Sequence, residues 1–342
     1  MSICKTKLRA AFILISLFSF ALGIFTAPPA KSQTSALDST QLTSQKRQQT
    51  IEKVLKLLNQ AYVYPQMALK MEAAILSRLE AGEYQQITQH QALADKLTAD
   101  LQHTSHDKHL AVRAVKKPTQ TSAPKSDADK AQAAHHAELQ QNYGLERAEV
   151  SADDIGYFKF NRFDNSWHAR KEVTKMLGKV KHAKALIFDL TDNLGGSPKM
   201  IEFISSFLFD KPTRLNLFYD RDGNEVGQSL TFTDIPGQRI AQNIPIYVLT
   251  SAFTFSAAEE FAYNLQSFGR ATIVGETTGG GAHPVFARKI SSHIRVIVPY
   301  RRAWNPITKT NWEGVGVIPD IKATAEDALA VATRAALKKI AG

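Results

Sequence analysis

The sequence predicts an α/β core over residues 151–342, behind a small helical domain over residues 33–112. Three observations predict it. Apolar residues recur at helical spacing between Ile51 and Leu101, short apolar runs alternate with helical patterns after Ile155, and a polar, low-complexity stretch separates the two textures.

At the N-terminus Lys5, Lys7 and Arg9 precede an uncharged apolar run from Ala10 to Ala27, and "PPAKSQ" then supplies small residues near Ala30 and Ser32. This is the layout of an export signal. Residues 1–32 are expected to be removed, leaving an extracytoplasmic protein, periplasmic or secreted. An uncleaved run would approach the length that spans a bilayer, and membrane association is expected only in that case. The single cysteine, Cys4, lies before the run. The mature chain therefore has no disulfide framework, thiol nucleophile or cysteine metal site, which suits an oxidising compartment. No cofactor is expected.

In the helical domain Ile51, Val54, Leu55 and Leu58 lie at i, i+3, i+4, i+7, while Met71, Ile75 and Leu79, and then Leu93, Leu97 and Leu101, are four apart. Pro65 and Gly82 break the pattern into three helices. Residues 113–150 read as a flexible connection, because Lys116 to Gln141 is rich in Lys, Ala, Ser, Gln and Asp and carries Pro118 and Pro124. From Ile155 onward, "IGYFKF", "ALIFDL", "IYVLT" and "ATIVGE" read as strands, three of them apolar enough to be buried on both faces. Met200–Leu208 and Ala257–Gln266 read as helices between them, and "SHIRVIVPYRR" as a further strand.

Net charge is +10, of which Lys5, Lys7, Arg9 and Lys31 account for four, leaving about +6 on residues 33–342. Those basic residues are scattered among acids rather than gathered into a patch, so no nucleic-acid partner is expected.

Three polar or glycine-rich segments follow parallel-strand candidates: "DLTDNLGGSP", "TSAFTFSAAEE" and "GETTGGGAHP". Ligands of α/β sheets sit at the carboxyl ends of the strands, so these loops should converge. Ser256 with Glu259 three residues on is a helix capping box. The same serine at a helix mouth also suits a nucleophile in acyl transfer, with N–H groups of Ser256, Ala257 and Gly195 or Gly196 as oxyanion donors. The residues alone leave cap and nucleophile both open. "HTSHDKH" invites a metal reading through His103, His106, Asp107 and His109, but it lacks the i, i+4 pair of helical zinc motifs, and no metal is expected.

"DNLGGSP", "TFSAAEEFAYNLQSFGRATIVGETTGGGAHP" and "NWEGVGVIPD" resemble the C-terminal processing (tail-specific) serine peptidase superfamily. The likeness is greatest to its branch containing interphotoreceptor retinoid-binding protein and the tricorn core protease, and it runs from about Ile51 to Ala335 outside the Lys-rich connection. The resemblance implies a ClpP/crotonase-like α/β core behind a helical N-terminal domain. Many relatives add a PDZ domain, for which the connection here is too short. Tail-specific members pair serine with a lysine in a "GKG" loop; here glycine, Gly280 or Gly281, holds that position. The tricorn-like design uses Ser, His and Glu, and the resemblance carries these roles to Ser256 as nucleophile, His109 of "DKH" as base and Glu313 as the orienting acid. His283 is a second candidate base beside the glycine loop. The family's arginine in "DLRxN" is Thr191 here.

The resemblance thus implies a peptidase acting on peptides or unfolded proteins. Two other readings fit the same scaffold: a non-catalytic carrier of an apolar small molecule, and a hydrolase of non-peptide esters or amides. The sequence leaves the oligomeric state open, an oligomer included.

Overall fold

The computed structural model describes residues 42–115 and 142–342. The expected export signal and the Lys-rich segment lie outside them. Three helices come first: α1 (Ser44–Ala61), α2 (Pro65–Glu80) and α3 (His90–Ser105). Thr43 caps α1 through its side chain, Pro65 begins α2 where its missing N–H costs nothing, and α3 ends on His106 in the left-handed region at φ 58°. Their apolar stripes meet in one core. Ile51, Val54, Leu58, Met71, Ile75, Leu93, Leu97 and Leu101 are all buried there.

This core is not closed by helices alone. Strand β1 (Ala111–Ala114) pairs antiparallel with β10 (Ile294–Pro299), which pairs in turn with β9 (Val285–Lys289). Ile294, Val296 and Val298 of β10 pack into the helical core. The strand expected from "SHIRVIVPYRR" is therefore real, but it serves the N-terminal helices.

The main sheet has six strands in the order β12-β8-β7-β4-β3-β2. These are β2 (Leu145–Val150), β3 (Ile155–Phe160), β4 (Ala185–Asp189), β7 (Ile246–Thr250), β8 (Thr272–Gly275) and β12 (Ile321–Lys322). The last five run parallel, and β2 is antiparallel on the edge. Residues 145–150, read from sequence as connection, thus form a strand; only Leu145 among them is buried, which hid the pattern.

Alternation divides the sheet cleanly. Phe158, Phe160, Leu186, Phe188, Val248 and Ile273 face helices α4 (Trp167–Val180), α5 (Pro198–Ser205) and α6 (Ala257–Ser267). Ile155, Ala185, Ile187, Tyr247, Leu249 and Val274 face α7 (Ala328–Ile340) through Ala328, Ala332 and Ala336. Both faces are covered, as a parallel sheet requires. A small antiparallel sheet, β11 (Arg302–Trp304), β5 (Arg214–Tyr219) and β6 (Glu225–Leu230), lies apart. The loops leaving β4, β7 and β8 share the carboxyl edge of the main sheet. No helix among the described residues is long and apolar enough to cross a membrane.

Candidate active site

Ser256 is the residue before α6, with φ 58° and ψ −120°. A non-glycine residue rarely adopts this conformation, and it needs over-determination by its surroundings. The surroundings supply it. Ser256 N–H donates to Glu259 Oε2 at 2.8 Å, Phe255 N–H donates to Asn193 O at 3.0 Å, and Thr254 Oγ1 donates to Leu190 O at 2.8 Å. The Ser256–Glu259 capping box is present, its glutamate half being this Ser256 N–H bond, and the Ser256 hydroxyl also lies 2.9 Å from His109 Nε2.

The loop after β4 approaches this turn as closely as backbone allows. A Cβ on Gly195 would fall 2.8 Å from Ala257 N and 2.9 Å from Ser256 Cβ, and one on Gly196 would fall 2.5 Å from Phe163 O. Both glycines have positive φ. The expected oxyanion donors divide here. Gly195 N–H is taken by Asn193 Oδ1 at 2.9 Å, and Ser256 N–H by Glu259. The N–H groups of Gly196 and Ala257 have no acceptor among the described residues, so those two remain available. Thr191, where the resemblance expects arginine, donates Oγ1–H and N–H to Asp189 Oδ1 at 2.6 and 3.0 Å.

The glycine loop after β8 is fastened by Glu259, whose side chain is fully buried. Its Oε1 accepts from Thr278 Oγ1 at 2.5 Å and Gly280 N–H at 2.6 Å, and its Oε2 from Gly281 N–H and Ser256 N–H, both at 2.8 Å. One carboxylate thereby ties the serine turn to the loop. Burial pushes its pKa upward, against the lowering effect of those four donors. Sequence reasoning took Glu259 for a cap alone, since nothing in a three-residue spacing reveals partners some twenty residues downstream.

His109 arrives from the segment after α3. Asp107 Oδ1 accepts its backbone N–H at 3.0 Å, Asp107 Oδ2 accepts from Tyr62 Oη at 3.0 Å, and Lys108 Nζ donates to Gly279 O at 2.6 Å. Burial lowers the imidazole's pKa to about 4, so it is neutral at pH 7 and able to accept a proton. Its Nδ1 is buried and has no hydrogen-bond partner.

Glu313 Oε2 accepts the Ala282 N–H at 2.6 Å and lies 3.8 Å from His283 Nε2, while Oε1 is buried without a partner. No hydrogen bond joins Glu313 to His109 in this structure. Burial first, and the charge of Asp107 second, push the Glu313 carboxyl up to about 8. His283 is buried with neither ring nitrogen hydrogen-bonded, its pKa lowered to about 3 by burial and by the neighbouring His109 and Arg302. A cavity of about 310 Å³ is lined by Tyr62, Tyr64, Asp107, His283 and Glu313 among others. Ser256 is held by His109 and not by His283. Among the described residues no cluster of three or more His, Cys, Asp or Glu side chains is disposed to hold a metal ion.

A serine at a strained turn, a neutral imidazole on its hydroxyl and two open N–H groups are parts that an acyl-transfer site needs. Comparison with known proteins agrees in family. Residues 154–323 match the Peptidase family S41 profile, and residues 35–147 match the profile described as the N-terminal domain of Peptidase_S41 in eukaryotic IRBP.

The chain belongs to the S41 family of serine peptidases.

Carboxyl-terminal-processing peptidase 2, chloroplastic, from Arabidopsis thaliana is 31% identical to this S41 chain over 176 residues, covering 48% of the chain and 31% of the relative. The chain spans less than a third of the curated relatives it matches. Among solved structures, a candidate peptidase from Parabacteroides merdae superposes with a TM-score of 0.61 at 20% identity, over 85% of this chain and 96% of that one. The tricorn protease superposes with a TM-score of 0.53 at 11% identity, over 87% and 37%. These likenesses establish the S41 peptidase fold, as the α/β architecture anticipated. Within that fold, Glu259, Phe255, Tyr62 and Asn193 are the site residues that sequence reasoning missed; each acts through a contact distant in sequence or through its backbone.

Proposed function

We propose that this S41 chain hydrolyses peptide bonds in peptides or unfolded proteins, with Ser256 as nucleophile and His109 as general base and then acid. The observation that carries the proposal is the 2.9 Å approach of His109 Nε2 to Ser256 Oγ on a turn whose neighbouring N–H groups are open. His109 takes the hydroxyl proton on Nε2 as Oγ bonds to the scissile carbonyl carbon. The carbonyl oxygen becomes an oxyanion between the N–H groups of Gly196 and Ala257. Collapse breaks the C–N bond, and the Nε2 proton passes to the leaving amine. Water then attacks the acyl-serine by the same route, with His109 again the base, and frees Ser256.

In this reading Glu313 supports the imidazolium. The buried, unpartnered His109 Nδ1 and Glu313 Oε1 are the complementary donor and acceptor that such support requires. A carrier of apolar molecules has no use for a serine–histidine contact, so the hydrolase reading is preferred. The relatives named for carboxyl-terminal processing suggest cleavage near a substrate's C-terminus. The export signal suggests action outside the cytoplasm after cleavage.

The test is degradation of an unstructured protein such as casein by wild type beside Ser256→Ala, His109→Ala and Glu313→Ala, each checked for folding. Loss of activity in the first two, with a smaller loss in the third, supports the proposal. Equal activity in wild type and Ser256→Ala refutes it. Inertness toward casein combined with ester hydrolysis that requires Ser256 moves the substrate to non-peptide esters.

A further inference from the structure

His109 must present Nε2 to Ser256 in a fixed plane, yet the hydrogen bonds around it fix little of that plane. Asp107 holds the backbone of His109, not its ring. Nδ1, the atom a triad acid normally grips, has no partner. Glu313 spends Oε2 on the Ala282 N–H. The one hydrogen-bond contact of the ring is Ser256 itself, which the reaction breaks.

What the ring does meet is Phe255. The two ring centroids are 4.7 Å apart with planes inclined by 47°. Phe255 in turn has little freedom. Its N–H is tied to Asn193 of the oxyanion loop at 3.0 Å, and its ring lies on the bare backbone of the glycine loop. A Cβ on Gly279 would fall 2.6 Å from Phe255 Cδ2, and one on Gly281 would fall 2.5 Å from Cε2 and 2.8 Å from His109 Cε1. The absence of side chains at 279 and 281 is therefore what seats both rings. One residue, adjacent to the nucleophile, touches the base, the oxyanion loop and the glycine loop together.

We propose that Phe255 is a positioning residue for His109: its ring, clamped on Gly279 and Gly281, sets the imidazole plane that directs Nε2 to Ser256. The inference rests on the Ser256–His109 reading of the site. It also places a demand on the glycine loop, in which positions 279 and 281 must stay without side chains.

The experiment compares Phe255→Ala and Phe255→Leu with wild type, by steady-state kinetics on a peptide substrate and by NMR titration of 15N-labelled histidine. Phe255→Ala should lower kcat by about 100-fold, the scale of a 1 Å misplacement, while KM changes less than threefold. Phe255→Leu, which restores bulk over the glycines, should recover part of the rate. The His109 titration should move upward toward the ordinary histidine range in Phe255→Ala, because the ring that desolvates it is gone, and lie between in Phe255→Leu. A purely structural role for Phe255 would lower melting temperature without moving the titration of His109. Unchanged kcat and unchanged titration in a folded Phe255→Ala would overturn the inference. Failure of the hydrolase reading is seen separately, as indifference to Ser256→Ala, and the titration still decides whether Phe255 seats His109.

Discussion

Gly281→Ala isolates the packing of the site from its chemistry. Gly281 does not have a positive φ, so alanine meets no backbone strain there. It adds one methyl group, placed 2.5 Å from Phe255 Cε2 and 2.8 Å from His109 Cε1. Phe255 Cζ is nearer still, and carbon atoms at rest sit roughly 3.5–4.0 Å apart, so the Phe255 ring must retreat by about 1–1.5 Å and the imidazole by about 1 Å. Overpacking of this kind costs about 1–3 kcal/mol of stability, which a domain of this size survives with a drop of a few degrees in melting temperature. Catalysis is less forgiving: a 1 Å displacement is worth on the order of 100-fold, about 2.7 kcal/mol in the barrier. The assay is kcat/KM on a peptide substrate beside a thermal melt, with Gly178→Ala as control. A Cβ on Gly178 meets nothing within 4 Å, and a helix-interior Gly→Ala there should stabilise by roughly 0.5–1 kcal/mol and leave activity alone. A Gly281→Ala protein with kcat/KM within threefold of wild type would refute the claim that the two rings fill that space.

Glu259→Gln places an NH2 group against N–H donors; it should cost on the order of 3 kcal/mol in urea unfolding and remove most activity, because four hydrogen bonds from two loops end on that carboxylate. Glu313 is neutral below about 8 and charged above it, so kcat/KM should climb through a step near that pH, and Glu313→Gln should abolish the step; an acid limb near 4, where His109 protonates, should persist in that variant. His283 is lowered to about 3 in the folded chain, so the folded state binds fewer protons than the unfolded state. Its contribution is therefore intact above about 6.5 and is lost as pH falls toward 3. By pH 4 the loss should reach roughly 3 kcal/mol, and unfolding curves of His283→Leu at pH 7 and pH 4 should lack it.

The fold was legible where periodicity is strong. The three helical stripes, the strands around Ile155, Ala185, Ile246 and Ile273, and α6 all lie where the apolar spacing put them. What stayed hidden were α4, α7, β5, β6, β9, β11 and β12, at which no element was named from sequence, and β1 and β2, short strands whose pairing is decided by residues far away: Val112 opposes Val296, and Ala148 opposes Phe158. The site divides likewise. The resemblance pointed to Ser256 and His109 as a pair, and the two, 147 positions apart in sequence, come to 2.9 Å. The choice of Gly196 over Gly195 as an open N–H could not be read, since it turns on whether Asn193 claims one of two adjacent donors. Nor could the seat of Phe255, which depends on the loop after β8 lying beneath its ring.

Whether Ser256 is cap or nucleophile can also be decided by stability alone, without a substrate. A cap needs a serine in an extended conformation with its oxygen on the first turn, and removing it to alanine costs about 1 kcal/mol, to glycine only a few tenths. A nucleophile held at φ 58° and ψ −120° is strained, and such strain costs on the order of 1–3 kcal/mol for any residue with a Cβ. Glycine escapes that strain. Ser256→Gly and Ser256→Ala both lose the hydroxyl and its contact with His109, so the comparison between them removes the hydrogen-bond term and leaves the backbone term. The entropic penalty of glycine, about 0.5–1 kcal/mol, offsets part of the relief. Ser256→Gly should therefore exceed Ser256→Ala in stability by about 1 kcal/mol in urea unfolding at pH 7, and should equal or exceed wild type. A cap permits the first result but not the second, because wild type would then hold an extended, unstrained serine whose loss only destabilises. If Ser256→Gly proves no more stable than Ser256→Ala, the backbone at Ser256 carries no strain and the reasoning fails.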